Sequence, residues 1–226
     1  LISLLWQIHI FRNKNELLHF HKGIFNPDFR IMKDMLAIGL SPFLMNVASC
    51  FIVILINNGM KKYSGDLAIG AFGIVNRISF MFVMIVMGLN QGMQPIAGYN
   101  YGARQISRVM EVLKLTAFFA TIITTIAFLI GELMPELVTR IFTTDDELIN
   151  LSVYGLRITV MFFPLIGTQI VIANFFQSIG MAGKSIFLSL IRQVLVLIPC
   201  LIILPRLYGL TGVWASLPVS DLISCI

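Results

Sequence analysis

The chain has 226 residues, of which 58% are apolar and 12% are charged, and its mean hydropathy is +0.90. Soluble domains have about 45 to 50% apolar and about 25% charged residues. This chain therefore has too few ionisable groups to cover a surface exposed to water. The composition all but excludes a soluble enzyme, is the reverse of the pattern of disordered chains, and leaves an integral membrane protein.

The net charge of +5 arises from 16 Lys and Arg against 11 Asp and Glu. The basic residues lie between long uncharged stretches, as membrane anchors do, so we expect no nucleic-acid partner. Cys50, Cys200 and Cys225 all lie in apolar runs and match neither a disulfide framework nor a metal site. We therefore predict no metal and no organic cofactor.

Long apolar runs predict membrane-spanning helices in chain order, because a helix crosses roughly 30 Å of hydrocarbon with about 20 residues. The predicted spans are about 35–57, 67–97, 109–131, 148–179, 185–204 and a truncated last one at 209–226. These runs lack the alternation of barrel strands. The predicted fold class is an all-α, polytopic membrane helix bundle. Residues 1–8 are interpreted as the end of a preceding helix, which makes the chain an internal piece of a longer polypeptide.

Turn residues and prolines punctuate these spans. Breaks are predicted at 57–59 together with 64–66, at 98–105, 143–146, 180–184 and 205–209. Thr144 or Asp145 is expected to cap the fourth helix. Pro42, Pro164, Pro199 and Pro218 fall within apolar runs, where each predicts a kink or hinge. Kinked spans without any catalytic motif favour a moving transporter over an enzyme or a rigid anchor.

The basic residues also predict orientation, because loops facing the cytoplasm are enriched in Lys and Arg. One face has Arg12, Lys14, Lys22, Arg30, Lys33, Arg104, Arg108, Lys114 and Lys184, and the other has Lys61, Lys62, Arg140 and Arg206. The first face is therefore predicted to be cytoplasmic. This face includes the long connector 9–33.

Ionisable residues inside spans are costly and mark candidate sites. Arg77 lies roughly 15 Å along its predicted helix, where it either faces a cavity or a partner or has a structural role. Arg157 and Arg192 are expected to reach an interface. Asp221 is either a site for H⁺ or Na⁺ or an acid that pairs with an arginine.

Amide side chains in the spans either hold helices together or present donors and acceptors to cargo. With Arg77, the candidate residues of a substrate path are Asn46, Asn90, Gln91, Gln94, Asn174 and Gln177. Methionine-rich linings also suit promiscuous binding.

The stretch GLNQGMQPIAGYNYGARQ at 88–105 resembles the signature that closes the second helix of each lobe in the multidrug and toxic compound extrusion (MATE) family. IGLSPF at 38–43, FFQSIGMAGKS at 175–185 and IRQVLVLIP at 191–199 are also similar to the family. In the signature, Gly88 and Gly92 are expected to allow close contact between helices. The similarity covers nearly the whole chain.

The resemblance implies the C-terminal lobe of a two-lobe (6+6) transporter in the bacterial inner membrane. Residues 1–33 would be the end of a preceding helix and a cytoplasmic connector, and residues 34–226 the lobe. The family exports drugs and organic cations in exchange for H⁺ or Na⁺ by alternating access. The expected partners are these small molecules, the lipid bilayer and the N-terminal lobe of the same polypeptide.

One departure concerns the coupling ion. Some family members carry acids in the first and fourth helices of this lobe, whereas 35–57 and 148–179 contain none. The coupling carboxylate is then expected in the other lobe, with Asp221 as the local candidate. Two alternatives remain: a lipid-linked saccharide flippase of the same superfamily, which would need a more basic cavity, and a membrane subunit without transport activity.

Overall fold

The computed structural model describes residues 5–6, 10–11 and 28–225. The chain divides into two compact units, Leu1–Ala37 and Ile38–Ile226. In the first unit, the backbone N–H of Arg30 donates to the Asp28 carboxylate (2.8 Å) at the start of a helix. Most of the preceding helix end and of the connector 9–33 lie outside the described residues, so those assignments stay predictions.

The described part of the chain is helical throughout, which confirms the predicted all-α fold class. The elements are α1 Phe29–Gly102, α2 Ile106–Leu133, α3 Pro135–Arg140, α4 Asp146–Val160, α5 Phe163–Ser178, α6 Ala182–Leu190, a π-helix Ile191–Leu197 and α7 Ile198–Cys225. By length and hydropathy, Phe43–Gly102, Ile106–Leu133 and Ile191–Ser224 can cross a membrane, and α4 with α5 forms a further, bent candidate.

Glycines break the two longest apolar segments. α1 has 74 residues, which at 1.5 Å per residue would extend about 110 Å, far beyond roughly 30 Å of hydrocarbon. Its break is at Gly65, where φ is 73° and ψ is −158°, a conformation that side chains with a β-carbon rarely adopt. Gly209 (φ 58°) breaks α7 in the same way. We call the resulting parts α1a (29–64), α1b (66–102), α7a (198–208) and α7b (210–225).

The break predicted at 57–59 together with 64–66 is confirmed in its second part only. The helix passes through 57–59 and ends its first part at Gly65. The backbone has helical dihedral angles through Pro42, and the kink expected there stays a prediction. A short helix, α3, begins at Pro135, a residue suited to a first helical turn, and hydropathy alone did not predict it.

The fourth predicted span is broken near Pro164, where a kink or hinge is expected. α4 ends at Val160, α5 begins at Phe163, and their axes differ by 56°. Pro164 lies in the first turn of α5, where its missing N–H costs little. Asp145 caps α4 as expected, because its carboxylate accepts from the backbone N–H of Glu147 (3.0 Å) and Leu148 (3.3 Å).

The π-helix Ile191–Leu197 widens the fifth span just before Pro199. Proline has no N–H to donate and its ring crowds the carbonyl four residues earlier, so local rearrangement of the ladder is expected there. π-Helical turns inside α-helices are often found at functional sites. This one carries Arg192 and Gln193.

Trp214 is the centre of the larger core. Its side chain is 0% exposed, and its ring lies 6.0 Å from that of Phe72. Gly155 of α4 lies directly against the ring, leaving no room for a β-carbon. Val213, the residue before Trp214, packs close to α1, because a β-carbon at Gly59 would lie 3.3 Å from its side chain. α1, α4 and α7b therefore meet at this tryptophan.

A second core joins α1b, α2 and α5 around Val86, Ala120 and Val171. Gly167 allows the close approach of α5, because a β-carbon there would lie 2.8 Å from the Ala120 carbonyl. By contrast, a β-carbon at Gly88 would meet nothing within 4 Å, and the same is true of Gly92. The expected helix contacts at these two signature glycines are therefore not formed within the described residues.

We predict that Gly155→Ala destabilises the protein by about 1 to 3 kcal/mol, because the added methyl group must displace the buried ring of Trp214. Thermal unfolding of the detergent-solubilised protein measures the effect. Gly88→Ala is the matched control, since that position faces open space and alanine is the better helix former. Equal melting temperatures for the two variants would contradict the packing described here.

Candidate ligand cavity

A cavity of about 630 Å³ lies among α1, α5, α6, the π-helix and the end of α7b. It is within the range of about 300 to 1,000 Å³ that is typical of small-molecule sites. Its lining is largely apolar and includes two methionines. The lining residues are Met45, Met87, Leu165, Thr168, Gln169, Ile170, Ile172, Ala173, Asn174, Leu188, Ile191, Arg192, Gln193, Ile223 and Ser224.

An ion pair borders this cavity. The Nε atom of Arg192 lies 3.1 Å from Oδ1 of Asp221, and the two side chains are 29% and 7% exposed. The direction of the Nε–H bond does not meet the geometry of a hydrogen bond to this oxygen. The interaction between the two side chains is therefore chiefly electrostatic. Asp221 is thus paired with an arginine, as one of its two interpretations expects, and Arg192 reaches this carboxylate instead of an interface. The other interpretation, a site for H⁺ or Na⁺, stays a prediction.

A hydrogen-bonded chain fixes the orientation of Gln193. The Ser49 hydroxyl donates to the Met45 carbonyl oxygen (2.8 Å). Its oxygen can then only accept, so Gln193 donates to it through Nε2 (3.4 Å). The Gln193 Oε1 atom is left buried, with no hydrogen-bond partner in the described part of the chain.

The amides of α5 complete the polar lining. Asn174 donates through Nδ2 to the Ile170 carbonyl oxygen one turn earlier (2.8 Å). Oε1 of Gln169 is buried, and residues 28–225 as described offer it no hydrogen-bond partner. The Thr168 hydroxyl bonds to that of Thr121 at 2.8 Å, which ties this face of α5 to α2.

Most sequence candidates lie elsewhere. Asn90 is buried in the second core and donates to the Val86 carbonyl oxygen (3.0 Å). Gln91 and Arg77 are exposed on α1b. Gln94, Gln177 and the exposed Asn46, the neighbour of Met45, are also absent from the lining described above. Of the path candidates, the structure places Asn174 alone in this lining.

Sequence reasoning missed Gln169 and Gln193 and misjudged Arg192. A signal was available, because polar side chains inside apolar runs mark functional positions. Arg192 and Gln193 are adjacent in such a run, and Gln169 lies between Pro164 and Asn174 in another. The sequence did not predict the π-helix that places Arg192 and Gln193 beside α5.

Broken and bent apolar helices around a cavity with a few polar side chains are typical of membrane transporters. A family model described as MatE matches residues 37–202. The chain belongs to the MATE family of multidrug transporters, and its helices form one lobe of that fold.

Relatives support this placement. Multidrug export protein MepA of Staphylococcus haemolyticus is 28% identical over 97% of this chain and 48% of its own length. MepA of Staphylococcus aureus is 26% identical over 96% of this chain and 48% of its own length. The chain thus spans about half the length of these curated relatives.

Solved structures agree. The MATE multidrug transporter DinF-BH, solved as a complex, is 35% identical, with a TM-score of 0.83 over 99% of this chain and 50% of that one. A MOP superfamily transporter from Pyrococcus furiosus is 20% identical, with a TM-score of 0.86 over 99% of this chain and 50% of that one. This likeness shows that the fold is shared.

We predict that the ion pair stabilises the protein only as a pair. Asp221→Asn or Arg192→Gln alone leaves one uncompensated charge and should cost about 3 kcal/mol, the lower end of the range for buried pairs because Arg192 is partly exposed. The double variant should recover most of that loss. Thermal unfolding of the three variants measures the coupling, and additive losses in the double variant would contradict it.

Proposed function

We propose that this lobe belongs to a secondary active exporter that exchanges organic cations and other drugs for H⁺ or Na⁺ by alternating access. The protein would lie in the bacterial inner membrane, with the connector 9–33 in the cytoplasm. The observation that carries the proposal is the cavity of about 630 Å³ beside the Arg192–Asp221 pair. The relatives named as multidrug export proteins support it.

The lining suits varied apolar cargo. Met45 and Met87 are flexible and polarisable, and can repack around ligands of different shape. The helices around the cavity are also discontinuous, because α5 begins at the bend after α4 and the π-helix carries Arg192 and Gln193. Such discontinuous helices are the parts that rearrange in transporters with alternating access.

Charge provides a route from ion binding to release of cargo. With Asp221 ionised, the guanidinium of Arg192 is balanced and an organic cation can enter the cavity. A proton on Asp221 would leave Arg192 unbalanced. Two positive charges about 6 Å apart repel by about 3 kcal/mol at an effective dielectric constant of about 20, which is roughly a hundredfold in affinity. Proton and cation would then exclude each other without sharing one site. A coupling carboxylate in the other lobe is the alternative.

The cavity disfavours the flippase alternative. A site for a lipid-linked, phosphate-bearing saccharide would need unbalanced basic residues in its lining. Here Arg192 is paired with Asp221, while Arg77 and Arg157 are exposed outside the cavity lining. Helix breaks beside a cavity of ligand size likewise favour a transporter over a subunit without transport activity.

The complete two-lobe transporter should lower the accumulation of a fluorescent cationic dye in a host that lacks its own pumps. Dissipating the H⁺ or the Na⁺ gradient separately should abolish the effect and identify the ion. Membrane expression is checked by immunoblot. Unchanged dye accumulation despite confirmed expression would refute multidrug export.

Transport by the ion-pair variants tests the role of Asp221. Asp221→Asn should reduce dye export at least tenfold, because Arg192 is then unbalanced. Adding Arg192→Gln should restore dye binding to the purified protein by removing the repelling charge. If Asp221 also carries the coupling ion, the double variant binds dye but no longer exports it against a gradient. Full export by Asp221→Asn would remove Asp221 from the mechanism.

A further inference from the structure

The amide groups around the cavity share an arrangement that the proposed function does not require. Gln193 uses an N–H on Ser49 (3.4 Å), and Asn174 uses an N–H on the Ile170 carbonyl oxygen (2.8 Å). One of the two N–H groups of each carboxamide is therefore engaged within the protein. The orientation is fixed in each case, because the Ser49 hydroxyl already donates to Met45 and a carbonyl oxygen only accepts. Besides a second N–H, each side chain offers a ligand its carbonyl oxygen, and the fixed orientation sets where that oxygen lies.

Some of these oxygens lack a partner. Oε1 of Gln193 and Oε1 of Gln169 are buried, and neither has a hydrogen-bond partner among the described residues. Both side chains line the cavity with Asn174. A buried acceptor without a donor is unfavourable, and a ligand that supplies the donor removes that penalty.

Charge alone would not discriminate among cationic ligands in this cavity. Arg192 is balanced by Asp221 (3.1 Å), so the ion pair adds no net charge to the lining. The rest is largely apolar and contacts any flat hydrophobic cation similarly. Selection among ligands of similar shape then depends on hydrogen bonding to the carboxamide oxygens.

We infer that the cavity prefers organic cations that carry N–H donors, such as primary or secondary aryl amines and amidines, over fully N-alkylated cations of similar shape. Gln193, Gln169 and Asn174 are the residues that determine this specificity, each by accepting from the ligand. The inference rests on the proposed function, because it concerns ligands of the same cavity.

Tetramethylrhodamine methyl ester and its analogue with unmethylated amino groups form a suitable pair of probes. Both are planar, delocalised cations, and they differ in the N–H donors. Fluorescence anisotropy gives the dissociation constant of each dye for the complete purified transporter. We expect the unmethylated dye to bind about tenfold more tightly, because each neutral hydrogen bond contributes up to about that factor. The methylated dye is the more apolar one, so hydrophobic burial would produce the opposite order.

Variants assign the preference to particular residues. Gln193→Met keeps the length of the side chain and removes the acceptor, and should reduce the preference several-fold. The double variant Gln193→Met/Asn174→Leu should bring the two dissociation constants within about twofold of each other. Gln105→Met is the control, because Gln105 lies in the exposed turn between α1 and α2. If Gln193→Met does not fold, Gln169→Met tests the same point, since Ser49 keeps its partner.

The outcomes separate this inference from the proposed function. Equal binding of the two dyes by the parent protein would overturn the inference while leaving export intact. A preference that persists in both Gln193→Met/Asn174→Leu and Gln169→Met would overturn the assignment to these amides. A parent protein that neither binds nor exports either dye would instead refute the proposed function.

Discussion

Hydrocarbon offers no hydrogen-bond partner, and this constraint organises the described structure. Helices satisfy the backbone, and short polar side chains bond back to carbonyl oxygens of their own helix. Thr116 donates to Val112, and Thr159 to Gly155, both at 2.8 Å. Against that background, unpartnered polar atoms are informative. Three such atoms belong to side chains that line one cavity, those of Gln169, Arg192 and Gln193, although the Arg192 guanidinium faces Asp221. The others in the described part of the chain are on Ser79, Asn90, Ser152 and Trp214, outside this lining. The cavity is therefore where unpartnered polar atoms are brought together.

Local physics made part of this fold predictable. The all-α class follows from long uncharged runs, the bend between α4 and α5 from Pro164, and the cap of α4 from Asp145. The site depends on long-range contacts that sequence patterns do not encode. Gln193 meets Ser49 across a separation of 144 residues. Likewise, Asp221 could be assigned an arginine as partner, but which arginine depends on how the π-helix packs against α7b.

The break in α1 shows how packing overrides a local stop signal. Asn57, Asn58 and Gly59 form a strong turn signal, yet the helix continues through them to Gly65. Met60 is 0% exposed in the Trp214 core, and a β-carbon at Gly59 would lie 3.3 Å from the Val213 side chain. Unwinding the helix at Asn57 would disrupt this packing. A β-carbon at Gly65 would meet no described atom within 4 Å, so the helix can break there without loss of packing.

In the proposed exporter, breadth and selectivity of binding would have different physical origins in this cavity. Methionine and aliphatic side chains attract by dispersion and burial, which depend little on the chemical detail of the ligand. The Arg192–Asp221 pair keeps that surface electrically neutral as long as Asp221 is ionised. Directional discrimination is then left to the carboxamide oxygens, whose positions are fixed by bonds such as Asn174 to Ile170. In the proposed mechanism, the ion pair would set the charge that a cation meets and the amides its orientation, so substitutions should alter ion coupling and specificity independently.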